Sequence, residues 1–590
     1  MAIEPKLLAL RAQMQNDNID ALIVPRADEY LGEYVPAHNE RLAFISGFTG
    51  SAGMLVITHD KAALFVDGRY TLQAAQQCPA PLFEHHHLIN EPVLPWLSAQ
   101  LSAGQAVAVD GRVVNYRFFL QAEEQLQQAG INLRALSHNL LDDIWEDRPD
   151  PPMTEGLLYS DSYAGESSPS KRSRIAALIA EAGADAAVIN QLDAIAWLLN
   201  IRGKDVPHLP VLLSQSVLLR DGSQHLFIAE TKIPKAFIDH VGEGVVLHPE
   251  MGLADYLTEL GSQGAKVLFD SDQTNAYSAL TCLSAGCELI EKPNPVELPK
   301  AQKNPVEIAG IRAAHIRDGA ALCQFLCWID QEVALGQFHD EGVLSDRLET
   351  FRRQIPELQD LSFGTISAAG ENAAMAHYSH TNGVPAKLAP DTLYLVDSGG
   401  QYFDGTTDVT RTIAIGTPRD DHKTMFTRVL KGHIALACAH FPKGIQGHQL
   451  DVLARQFLWE IGKDFDHGTG HGVGCYLSVH EGPQRIGKAA GPTAPLLPGM
   501  VLSNEPGYYE PNDYGIRCEN LMVVDPQPDG MLGFETLTFA PFDRRLIDVA
   551  LLLPHESQWI NDYHQQVFGK ISPLVDADTR SWLAAATAPI

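Results

Sequence analysis

Asp466-His467-Gly468-Thr469-Gly470-His471-Gly472-Val473-Gly474 is closely followed by Leu477-Ser478-Val479-His480-Glu481-Gly482-Pro483, and these runs decide how the rest of the sequence is read. Three histidines among so many glycines imply backbone packed tightly around a polar centre, because glycine permits close approach and positive φ. The stretch reads as the wall of an active site. Acids flank it along the chain: Asp397 and Asp408 before it, Glu505 and Glu519 after it, each in a short strand-like run beside glycines. Together with one histidine they could hold two metal ions.

In Leu393-Tyr394-Leu395-Val396-Asp397-Ser398-Gly399-Gly400, an apolar strand delivers Asp397 just before a Gly-Gly turn, and Asp408 follows in Gly405-Thr406-Thr407-Asp408-Val409-Thr410-Arg411-Thr412. An antiparallel return across that turn predicts both carboxylates at one end of a sheet. Two ionised carboxylates at short range raise a pKa, and a cation between them relieves the conflict. Val501-Leu502-Ser503-Asn504-Glu505-Pro506-Gly507 and Gly515-Ile516-Arg517-Cys518-Glu519-Asn520-Leu521 repeat the device with glutamates. His471 completes a set of four carboxylates and one imidazole. Such an oxygen-rich set favours Mn2+ or Co2+ and suits Zn2+ less typically. Five ligands are generous for one ion and natural for two ions about 3.5–4 Å apart. Taken singly, each residue has an ordinary reading: a strand-end aspartate forms a turn, Glu505 or Glu519 pairs with Arg517, and His471 packs a turn. Their occurrence together, in order and beside glycines, points to a metal centre.

The 590-residue chain exceeds what one hydrophobic core usually supports, so two to four domains are expected. Its 73 acidic against 43 basic residues give a net charge of −30, which makes nucleic acid and anionic membrane poor partners. Eight cysteines without a CxxC pair read as free thiols in a reducing compartment. Residues 1–6 lead into an amphipathic helix rather than a secretion signal, and no apolar run approaches the roughly 18 residues of a membrane span. A cytoplasmic location is therefore expected.

The strand Ile19-Asp20-Ala21-Leu22-Ile23-Val24-Pro25 is answered by Asp185-Ala186-Ala187-Val188-Ile189-Asn190. Leu64-Phe65-Val66 is answered by Leu226-Phe227-Ile228, and Val107-Ala108-Val109-Asp110 by Val267-Leu268-Phe269-Asp270. Offsets of 165, 162 and 160 residues, held in order, indicate a duplicated α/β domain. The expected division is 1–155, 156–302 and 303–590. The third part opens on a long helix over 305–329 and ends in a folded, helical extension from about 540.

The third part resembles the pita-bread metallopeptidases, and within them the three-domain, cytosolic aminopeptidases P. The resemblance rests on Ala376-His377-Tyr378, Val396-Asp397-Ser398-Gly399, Thr407-Asp408-Val409-Thr410-Arg411-Thr412, the two histidine-bearing runs quoted first, Asn504-Glu505-Pro506-Gly507-Tyr508-Tyr509 and Gly515-Ile516-Arg517-Cys518-Glu519-Asn520. In the leading parts it extends to Phe44-Ile45-Ser46-Gly47-Phe48-Thr49-Gly50 and Ile195-Ala196-Trp197-Leu198-Leu199-Asn200-Ile201-Arg202-Gly203. It implies two related creatinase-like α/β domains followed by a pita-bread α+β catalytic domain. Asp397, Asp408, His471, Glu505 and Glu519 would be the ligands of two divalent ions, with Asp408 and Glu519 bridging. A metal-activated hydroxide would cleave the bond between the first residue of a peptide and a proline at the second position. His480 would steady the tetrahedral centre, Glu505 would handle the proton, and His377 and His467 would line the site, with Tyr509 and Arg517 near the substrate. A homodimer is implied as well. The run Arg517-Cys518-Glu519-Asn520 departs mildly from the family's Arg-Ile-Glu-Asn type.

Four other readings compete. Creatinases lack the acid set, and methionine aminopeptidases lack two long preceding domains. Prolidase, which has one such domain and cuts only dipeptides, is the serious rival, and length argues against it. From a different class, a catalytically reduced binding protein of the same fold typically loses ligands, whereas none is missing here. The glycine run also fits G-x-G-x-x-G in no frame, so a dinucleotide site is excluded. Glu84-His85-His86-His87 is read as a solvated surface cluster.

Overall fold

In the computed structural model, which describes residues 3–490 and 494–590, the run Ala21–Pro25 lies inside a six-stranded sheet. Residues 1 and 2 of the stretch read above for a secretion signal lie outside the described residues. The strand order is Glu84–His87, Ala62–Val66, Met54–Thr58, Ala21–Pro25, Ala106–Asp110 and Asn132–Leu136. The second and third pairings are antiparallel and the other three parallel. Along Ala21–Pro25 successive side chains enter opposite cores: Leu22 and Val24 join Leu55 and Leu64, while Ala21 and Ile23 join Val56 and Phe65. An unbroken apolar strand is what a sheet covered on both faces requires.

A second sheet follows with strands Val245–His248, Gln224–Phe227, Gln215–Leu219, Ala186–Ile189, Lys266–Phe269 and Glu288–Glu291. Its order and its pattern of parallel and antiparallel pairs repeat those of the first sheet. The sequence offsets therefore reflect one topology used twice. The His-rich run 84–87 is the edge strand of the first sheet; His86 is half-buried and stacks on Phe65 at 4.9 Å between ring centres. It is thus less solvated than expected.

The chain divides into two compact units, Met1–Asp161 with Glu166–Glu297, and Ser162–Gly165 with Leu298–Ile590. Both six-stranded sheets belong to the first. The second opens on the helix Pro305–Ala334, started by a capping box in which Asn304 and Glu307 each satisfy the other's backbone N–H. A strand pair, Thr392–Ser398 against Val409–Ile415, runs through its core with Asp397 opposite Thr410. A five-stranded sheet contains the neighbouring strands Gly470–Gly472, Val501–Asn504 and Asn520–Pro526. The hairpin Gly507–Glu510 with Tyr514–Arg517 completes the frame. The tail after 540 is helical over Pro554–Ile571 and Ala577–Ala586, and Tyr563 is buried against the main core.

Arg411 ties these parts together. Its buried guanidinium donates to the carbonyls of Thr410, Glu519, Ala540 and Pro541, to Asn520 Oδ1 and to the Tyr563 hydroxyl. One cation thereby fastens the strand after Asp408, the residue Glu519 and the C-terminal tail to each other.

Candidate metal centre and active site

Asp397 is the penultimate residue of Thr392–Ser398 and Asp408 immediately precedes Val409–Ile415, so antiparallel pairing brings them to the same strand end. The connection is not the simple Gly399-Gly400 turn expected from sequence. Gly400–Tyr402 pairs with Gly405–Thr406 on one side and with Leu358–Leu361 on the other, in a separate small sheet. Gly399 is needed because the chain recrosses itself there: a Cβ would lie 1.9 Å from the carbonyl oxygen of Thr407. Glu505 and Glu519 are placed by a parallel device, since Asn504 pairs with Asn520 and the two acids flank that pair.

His471 approaches from Gly470–Gly472. Its Nε2 lies 3.4 Å from Asp408 Oδ2 and 3.6 Å from Glu505 Oε1, while Nδ1 is 3.0 Å from the carbonyl of Gly472. With Nδ1 donating to that carbonyl, Nε2 is the nitrogen turned to the acids: without a cation it carries a proton toward them, and on giving that proton up it would offer a lone pair to a metal. Donor atoms of Asp408, His471 and Glu519 all fall within 4.8 Å of one another. Glu519 Oε2 accepts from Thr410 Oγ1 at 2.7 Å, and Glu505 Oε1 from Ser503 Oγ at 3.2 Å.

The electrostatics of the cluster call for positive charge. Burial, reinforced by Asp397 and Glu505, outweighs the hydrogen bond from His471 and pushes Asp408 up to about 6. Burial, then the charges of Asp408, Asp397 and Glu505, hold Glu519 well above the usual carboxylate range. Burial works against a charged His471, yet Asp408 and Glu505 outweigh it and raise the ring to about 9. Asp397 Oδ1 and Asp408 Oδ1 are buried with no hydrogen-bond partner. Buried carboxylate oxygens without donors are costly unless a cation coordinates them. The donor set therefore fits divalent ions on geometry and on charge.

Around the acids the other expected residues take distinct places. The rings of His480 and His471 meet edge to face at 4.3 Å. His467 Nε2 is 2.8 Å from the Tyr509 hydroxyl, Arg517 Nη1 donates to that hydroxyl at 2.7 Å, and Arg517 Nη2 donates to Asp397 Oδ2 at 2.6 Å. The partner of Arg517 is thus Asp397 and neither glutamate, because the guanidinium reaches from the hairpin to the strand end that carries Asp397. His377 lies half-buried in the turn after Gly370–Ala374; Ala376, its neighbour, accepts from Arg517 Nη1 at 3.4 Å. Cys518 is fully buried and its thiol is pushed up to about 12 by burial, so it is a packing residue.

Sequence reasoning passed over Thr410 and Ser503. Thr410 lies two residues after Asp408 on the strand that follows it and Ser503 two residues before Glu505 on the strand that precedes it, and that period-2 spacing beside an acid is the available signal. Glu481 was read only as part of a motif. It is buried between Lys300 Nζ, at 2.6 Å, and Lys303 Nζ, an arrangement that no local pattern announces.

The family model of metallopeptidase family M24 matches residues 309–526, two models of the creatinase/prolidase N-terminal domain match 6–142 and 147–307, and the C-terminal region of peptidase M24 matches 530–590. A "Probable Xaa-Pro aminopeptidase P" of Tuber melanosporum is 38% identical over 618 residues, 99% of each chain. The chain belongs to the aminopeptidase P group of the M24 metallopeptidases. "Aminopeptidase P2" of Arabidopsis thaliana is likewise 38% identical, over 635 residues, covering 100% of this aminopeptidase P homologue and 89% of the plant protein. The crystal structure of an X-prolyl aminopeptidase from Caenorhabditis elegans, described as a cytosolic enzyme with a di-nuclear active site, superposes with a TM-score of 0.95 at 33% identity and full coverage of both chains.

Proposed function

We propose that this enzyme removes the first residue from peptides whose second residue is proline, using two divalent ions held by Asp397, Asp408, His471, Glu505 and Glu519. The observation that carries the reading is the buried acid cluster with its two unpartnered carboxylate oxygens. When bound, the ions would polarise the scissile carbonyl and acidify the attacking water. Glu505, anchored by Ser503, takes that water's proton and returns it to the departing amine. His480, packed against His471, donates to the carbonyl oxygen as charge develops there. His377 and His467 line the place of the proline ring. Tyr509 is held rigid between His467 and Arg517, so it can present a fixed wall to the substrate. Proline lacks an N–H for a binding site to grip, and its locked ring suits a preformed pocket instead.

Mn2+ is the proposed metal, on the strength of the carboxylate-rich donor set, with Co2+ or Zn2+ as the alternatives. The proposed division at 155 and 302 is supported by the doubled sheet topology. A cytoplasmic location is supported by the worm enzyme's description, and among the described residues no helix is long and apolar enough to cross a membrane. A homodimer rests on the family resemblance.

The deciding assay supplies Mn2+, Co2+ and Zn2+ one at a time to metal-free enzyme and offers Arg-Pro-Pro beside Gly-Pro. Cleavage of the tripeptide is expected; activity confined to the dipeptide would make the enzyme a prolidase. A second measurement probes the support of Glu519: Thr410→Val deletes its hydroxyl donor and should weaken metal binding about 10–100-fold, read by competition with a chelating dye.

A further inference from the structure

Glu341, at the first turn of the helix Glu341–Arg352, is a completely buried carboxylate answered by four neutral donors. Its Oε1 accepts from Ala369 N at 2.8 Å and Asn372 Nδ2 at 2.9 Å; its Oε2 accepts from the Tyr378 hydroxyl and from Ala386 N, both at 2.8 Å. The Glu341 backbone N–H donates in turn to the carbonyl of Ala386. Hydrogen bonds to an ionised acceptor are roughly twice as strong as neutral ones, so one side chain closes both ends of the segment 370–386.

That segment carries His377. On one side of the histidine, the carbonyl of Ala376 takes Arg517 Nη1 at 3.4 Å; on the other, the Tyr378 hydroxyl is bound to Glu341. The turn Gly370–Ala374 is seated directly on the hairpin of Tyr509 and Arg517, since a Cβ on Gly515 would come within 1.8 Å of the Ala373 carbonyl oxygen. His377 is thus fixed between two anchors, one leading to the acid cluster and one to Glu341.

We propose that Glu341 is a positioning residue for His377: it sets where that imidazole stands while touching neither substrate nor metal. The inference rests on the substrate role given to His377 above. Glutamine at 341 has the same shape but one acceptor oxygen fewer. Whichever way its amide is turned, an NH2 group faces a backbone N–H, of Ala369 or of Ala386, and the clamp opens at one end.

The test measures kcat and KM for Glu341→Gln, Tyr378→Phe, His377→Ala and the two doubles that add His377→Ala, alongside metal content and melting temperature. Glu341→Gln is expected to lose up to about 100-fold in kcat with unchanged metal content, because an ångström of misplacement costs that much. Each double should be no slower than His377→Ala alone, the mark of residues acting as one unit. Losses that multiply, or wild-type kcat in Glu341→Gln, overturn the clamp. If Glu341→Gln fails to fold, the Tyr378→Phe cycle, which deletes a single donor, decides on the same criterion. Wild-type kcat in His377→Ala is a different failure, which removes the role of His377 itself.

Discussion

Alanine in place of Asp408 is expected to lower kcat on Arg-Pro-Pro by on the order of 10³-fold or more and to reduce the metal bound per chain. Asp408 is the acid that His471 Nε2 approaches at 3.4 Å, it lies within donor reach of Glu519, and its Oδ1 has no protein partner. Deleting it therefore removes the carboxylate nearest His471 and one member of the Asp408–His471–Glu519 donor group. The substitution also takes away the shorter of the two carboxylate contacts of His471 Nε2, leaving that to Glu505 Oε1 at 3.6 Å. Metal analysis of the purified variant beside steady-state kinetics checks both halves of the statement. Full-speed cleavage by Asp408→Ala would end the dinuclear reading.

Removal of divalent ions should abolish cleavage, and their return should expel protons. Asp408, raised to about 6, Glu519, held well above the carboxylate range, and His471, raised to about 9, are the groups that must lose protons before they can ligate. Affinity should thus climb as pH rises through about 6 and beyond, and fall in acid. The sign for stability follows from linkage: a carboxyl whose folded pKa lies above its unfolded value binds more protons when folded, so the metal-free protein loses stability as pH rises from about 4 through about 6. Bound metal cancels that loss. The melting-temperature gain on adding Mn2+ should accordingly be larger at pH 8 than at pH 5, and saturating ion at 100 times its Kd is worth about 2.7 kcal/mol. Calorimetry in buffers of different ionisation heat counts the protons. Zero release would contradict the electrostatics of the cluster.

Much of this centre could be read from the chain because its chemistry is carried at strand ends beside glycines, and such positions have a local signature. Asp397, Asp408, Glu505 and Glu519 each have one. The route between Asp397 and Asp408 did not: a Gly-Gly pair reads as a turn, and only the pairing of 400–402 with 358–361, some forty residues upstream, shows that the chain makes an excursion first. Glu341 was invisible for a related reason. An acid in the first turn of a helix is ordinary sequence, favoured there by the helix dipole, and its burial depends on a loop ending at Ala386 that closes over it. The doubled sheets were legible because repetition at a nearly constant offset survives even when individual residues differ. What stayed hidden were contacts between residues far apart along the chain, such as Arg411 with Tyr563.

The reach of Arg411 sets a timetable for the nascent enzyme. Ala540, Pro541 and Tyr563 all emerge from the ribosome after every acid of the cluster, yet they share one guanidinium with the backbone of Glu519. A polypeptide halted short of 540 would carry all five proposed ligands and the Arg411–Glu519 bond, yet lack Ala540, Pro541 and Tyr563, three of the six groups that hold the guanidinium in place. Competence to cut peptides should therefore arrive late in synthesis.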